Sequence, residues 1–157
     1  MTMIAVEKVR NKAESGVKNT ENALSDAQNA AKRFKKTFEP RTDEEIYQAL
    51  FDKPIENCVK MKGTQDQVVP KIDIAIFLHF ETCPDEFKRI LAKREFTKKV
   101  QITKNWRDNG VTNPVWFKPE LLGDKILIYE SLDKRANGQI FYSNMSNTEV
   151  YCMDIYD

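Results

Sequence analysis

Between Ile72 and Phe80 the side chains alternate with a period of two: Ile72, Ile74, Ile76, Leu78 and Phe80 share one face, and Asp73, Ala75, Phe77 and His79 share the other. The first face is too apolar to leave in water, so the chain has to build a sheet around this strand. Directly after it, Thr82-Cys83-Pro84-Asp85-Glu86 offers a capping hydroxyl, a proline at an early helical position and two acids in a first turn. The pattern predicts a helix from Pro84 to Lys93 that buries Phe87, Ile90 and Leu91.

The remaining elements follow from the same local signals. Thr42 with Glu45 three positions on is a capping box for a helix through Ile46, Tyr47, Leu50 and Phe51, ended by Pro54. Residues 60–67 hold Gly63 and few large apolar groups, which reads as a loop. Phe96 to Thr103 reads as a strand with Phe96, Lys98, Val100 and Ile102 on one side, and residues 105–123 as a long connection rich in aromatic rings and prolines. Three short strands, Lys125 to Ser131, Gln139 to Ser143 and Glu149 to Asp154, finish the chain, with turns at Asn137-Gly138 and at residues 144–147. Strands that cluster in this way predict an α+β fold: an antiparallel sheet of four or five strands with helices on one face, preceded by a long N-terminal amphipathic helix.

That first helix is read from Ala5 to Phe38. Its small or apolar residues, Ala13, Val17, Thr20, Leu24, Ala27, Ala31, Phe34 and Phe38, recur in alternating steps of four and three, which keeps one narrow seam on one side. A seam this thin cannot hold a lone helix in water, so Val17, Leu24, Phe34 and Phe38 are expected to meet a partner protein, a second copy or the chain's own domain. Only Phe34 and Phe38 supply aromatic rings before residue 39, which divides the 157 residues into an arm, 1–40, and a globular domain, 41–157. The arm to residue 38 carries a charge of +4 and the remainder −3. Lying on an anionic membrane is a further reading of the basic arm, but its apolar face lacks the Trp and Leu content of such helices.

Reactive chemistry has few carriers. His79 is the only histidine, and the glycines form no phosphate-cradling arrangement. Cys58, Cys83 and Cys152 fit no metal spacing and no small disulfide framework, so reduced, packed thiols are expected, with no metal and no cofactor. A Cys83–His79 dyad is the sharper alternative, with the thiolate favoured by the following helix N-terminus. A carboxylate pair is the other route to a small enzyme, and no residue pattern points to one.

A non-catalytic protein-binding module, of the adaptor or neutralising kind, is therefore the leading expectation. Its contact residues are Val17, Leu24, Phe34 and Phe38 on the arm and Trp106, Trp116 and Phe117 on the aromatic connection. The stretch from Lys93 to Arg107 is basic, yet the globular part is slightly acidic and lacks nucleic-acid-binding motifs, so nucleic acid is not the expected partner. The first residues lack a secretory apolar run and no stretch could span a bilayer, which places the chain in the cytoplasm. A mature exported chain that has lost its leader reads the same. The acceptor pattern Asn144-Met145-Ser146 adds no weight for export.

Overall fold

The computed structural model describes residues 41–66, 74–107 and 113–156, together with Gln28. The N-terminal seam, with Val17, Leu24, Phe34 and Phe38, lies outside the described residues, as do Ile72 and Asp73 of the expected central strand. In chain order the elements are α1 (Asp43–Phe51), β1 (Lys60–Gln65), β2 (Ile74–Glu81), α2 (Pro84–Leu91), β3 (Thr97–Ile102), β4 (Lys125–Leu132), β5 (Gly138–Ser143) and β6 (Glu149–Tyr156), with short 3-10 turns at Thr103–Asn105 and Pro119–Leu122. The strands form one open antiparallel sheet in the order β1-β2-β6-β5-β4-β3. The fold is α+β, with six strands rather than four or five.

The additional strand is β1, which the sequence reads as a loop. An edge strand draws its stability from backbone pairing along one side and needs few large apolar groups. Its alternation is also broken, because the pairing steps from Met61↔Phe80 to Gly63↔His79 and leaves Lys62 as the extra residue of a bulge.

Both helices cover one face. α1 starts at the expected capping box: Glu45 N–H donates to Thr42 Oγ1 at 3.2 Å and Thr42 N–H to Glu45 Oε2 at 2.9 Å. Ile46, Tyr47 and Phe51 from α1 and Phe87 and Ile90 from α2 pack on Ile76, Leu78, Phe80, Leu127, Tyr129, Phe141, Val150 and Cys152 of the sheet. Burying each of the larger of these side chains contributes roughly 1.5–3 kcal/mol. A polar clip ties the helices together: Tyr47 Oη donates to Glu86 Oε1 at 2.8 Å, and Arg89 donates to both Glu86 oxygens at 2.6 and 2.7 Å and to the Phe51 carbonyl at 3.0 Å. The Arg89 guanidinium holds the Glu86 carboxyl below its ordinary range, and burial pushes the Tyr47 hydroxyl up.

Two local expectations are corrected. The N-cap of α2 is Cys83 without a side-chain hydrogen bond, while the Thr82 hydroxyl donates to the Cys83 carbonyl at 3.3 Å. Pro84 and the first-turn acids still set the helix start, which ends at Leu91. The turn between β4 and β5 sits earlier than Asn137-Gly138: Asp133 Oδ1 accepts from the Arg135 and Asn137 N–H groups, and Ala136 takes φ 63°. Gly138 is needed one step later, at φ 140°, where a Cβ would meet the Ser131 carbonyl oxygen at 2.0 Å.

Candidate functional site

The second face of the sheet is covered by the connection from β3 to β4. Phe117 is buried there, 5.0 Å from the Phe77 ring, 5.2 Å from Tyr151 and 6.0 Å from Tyr142 by ring centroids. Trp116 is half-buried and lies over Gly63 of β1, where an added Cβ would come within 3.0 Å of the indole. Trp106 is half-buried with its ring edge-on to Tyr142 at 5.4 Å. Of the aromatic residues singled out from sequence, Phe117 is part of the core, whereas Trp106 and Trp116 have one side packed and one side in water.

Trp106 borders the far edge of the sheet. There Lys99, Gln101, Asn105, Trp106, Arg107, Ile128, Glu130 and Tyr142 surround an open hollow of about 290 Å³. Its floor is apolar and aromatic, and its rim carries two cations, two amides and the Glu130 carboxylate. Lys99 Nζ pairs with Glu130 Oε1 at 2.7 Å, across the β3–β4 ladder. Because Lys98 and Val100 stand opposite Tyr129 and Leu127, their side chains lie on the helix-covered side, beyond the reach of the helices. Val100 is 57% exposed and Ile102 51%, and Lys98 Nζ sits 5.6 Å from the Tyr129 ring centroid. Among the described residues, no strand pairs with the outer side of β3.

A charged cluster occupies the opposite end. His79 stacks on Tyr151, centroids 3.8 Å apart and nearly parallel, and its Nε2 is 2.9 Å from Glu149 Oε1. The bulge turns Lys62 onto the same side, where Nζ reaches Glu81 Oε1 at 2.6 Å and Glu149 Oε1 at 2.9 Å. Burial lowers the His79 pKa, partly opposed by Glu149. Burial acts to raise the Glu149 carboxyl, but Lys62 and His79 together hold it below the ordinary value. Glu81 and Glu149 thus share a single lysine.

The cysteine expectation is overturned in part. Cys58 and Cys83 form a disulfide with Cα atoms 5.6 Å apart, and only Cys152 is a free thiol, fully buried in the helix-side core. Spacing did not announce the pair, because the two sulfurs meet only when the segment after α1 is brought beside the β2–α2 corner. Cys83 is bonded to Cys58 while His79 engages Glu149, so the two do not form a dyad. Among the described residues no group of three or more His, Cys, Asp or Glu side chains is placed to hold a metal ion. No helix of the described residues is long and apolar enough to cross a membrane. The chain matches no protein-family model, no curated protein and no solved structure.

Proposed function

We propose that the chain is a non-catalytic protein-binding module whose contact surface is the outer side of β3 together with the Trp106 hollow. The observation that carries this reading is the exposure of Val100 and Ile102 on a strand whose outer side no described strand pairs, directly beside a half-buried tryptophan. Apolar groups on an open strand edge are costly for a protein that meets no partner, and tryptophan is favoured where partners bind. The arm residues Val17, Leu24, Phe34 and Phe38 belong to the proposal on sequence grounds alone. The Cys58–Cys83 bond supports an oxidising compartment as its place of work, in preference to the cytoplasm.

The test compares the intact chain with Val100→Glu and Trp106→Ala variants, each first shown to melt within a few degrees of the parent. Proteins retained by the parent are recovered, purified and titrated against all forms, with Lys60→Glu on the opposite edge as control. A Kd raised at least tenfold by the first two substitutions and unchanged by the third is the expected result. Equal binding by all forms overturns the proposal.

A further inference from the structure

The open edge, its register and its charge together specify a partner, and this inference rests on the protein-binding reading above. We propose that the outer side of β3 accepts an extended acidic segment of another protein as a seventh strand of the sheet. A strand added there hydrogen-bonds to the outward backbone groups of β3, and its side chains fall alternately on the two sides of the sheet. On the helix-covered side they meet Val100 and Ile102, which stand exposed and adjacent in alternation, with Lys98 next to Val100 on the same side. On the other side they meet Gln101, the Lys99–Glu130 ion pair and the Trp106 hollow with Arg107 at its rim. One line of the incoming segment is therefore apolar and the other polar.

Charge selects between occupants. From Lys93 to Arg107 the sequence has six basic residues against Glu95 alone. Among the described residues, Lys98, Lys104 and Arg107 have no ion-pair partner. A second copy of the chain pairing through β3 would bring the uncompensated Lys98 of each copy into a strip of six residue pairs, and like charges across a ladder are destabilising. An acidic segment faces the reverse situation: Lys98, which has no ion-pair partner among the described residues, attracts it along the strand, and Lys104 and Arg107 hold its end beside Ile102. The lysine that discourages self-pairing is the same one that admits a partner of opposite charge.

The experiment uses the full chain and three displayed libraries of ten-residue peptides: Glu or Asp alternating with Val, Ile or Thr; the same with Lys in place of the acids; and the acidic composition in scrambled order. The alternating acidic library is expected to be retained at least tenfold over the other two. Peptides selected from it should slow hydrogen exchange at amides of β3, and should lose their preference in a chain carrying Lys98→Glu and Lys104→Glu that melts like the parent. Equal retention of the three libraries overturns the inference, as does acidic binding that leaves β3 exchange unchanged. A concentration-dependent dimer that Val100→Glu dissolves also overturns it, because the occupant is then a second copy. Loss of the inference with a recovered partner still sensitive to Val100→Glu leaves the protein-binding reading standing. Insensitivity of every recovered partner to that substitution removes both.

Discussion

The two edges of the sheet receive opposite treatment. β1 is bulged at Lys62, roofed at Gly63 by Trp116 and tied to the start of α1, where Thr64 Oγ1 donates to Asp43 Oδ1 and Arg41 pairs with Asp66 at 2.7 Å. β3 has six regular pairs with β4, and its Val100 and Ile102 side chains, on the helix-covered side, stand in water. Bulges and covering groups are the ordinary means of closing an edge to further pairing. Among the described residues, several independent devices close one edge while only lysines guard the other, which gives an edge built for protection and an edge available for contact.

The largest break in that comparison is energetic. Phe80 on β2, fully buried beside the β1 edge, should cost about 3–5 kcal/mol when replaced by Ala, whereas Val100→Ala should change stability by less than about 0.5 kcal/mol. Urea unfolding of the two variants checks this, and similar losses would mean that β3 carries structural load. Next in size is the disulfide, whose 25-residue separation predicts a stabilisation of about 3 kcal/mol in the oxidised over the reduced chain. Melting with and without a reductant, beside a Cys58→Ser/Cys83→Ser double variant that should not respond, measures it.

Removing the roof should cost less. Trp116→Ala is expected to lose about 2 kcal/mol, since the ring is only half-buried, and to speed amide exchange in β1 while leaving β3 unchanged. Equal acceleration at both edges would deny that Trp116 protects one of them. The smallest effect is a pH dependence at the β1 end. Because the folded-state pKa of His79 is depressed, the unfolded chain takes up its proton first, so stability is complete above the ordinary histidine value of 6.5 and falls as the pH drops through it. His79→Gln should flatten the slope between pH 7 and 5. An unchanged slope would place the titrating group elsewhere.

Legibility in the sequence followed the range of the interaction. The Thr42–Glu45 box, the alternation into Phe80, the proline start of α2 and the three closing strands are set by neighbours within a few residues, and each is in the structure with ends shifted by at most a few positions. Trp106 stands out in the sequence for its ring and its loop, and in the structure it lines the hollow. The sequence places Val100 on one side of its strand with Phe96, Lys98 and Ile102 but leaves its exposure open, because alternation reports which residues share a face and not whether a helix reaches over it. His79 with Glu149 was missed, as was Lys62: their encounter needs β2 beside β6 and a bulge in β1.

By itself, the sequence determined that this protein has a sheet built around the segment ending at Phe80, short capped helices and an antiparallel finish, because capping, turn geometry and side-chain alternation act over a handful of residues. Only the tertiary structure decided that β6 inserts between β2 and β5, that residues 60–65 pair as a strand, that Cys58 meets Cys83, and which strands end the sheet among the described residues. Those outcomes depend on closing long loops and on which packed arrangement best buries both faces at once, a property of the whole chain that no local window contains.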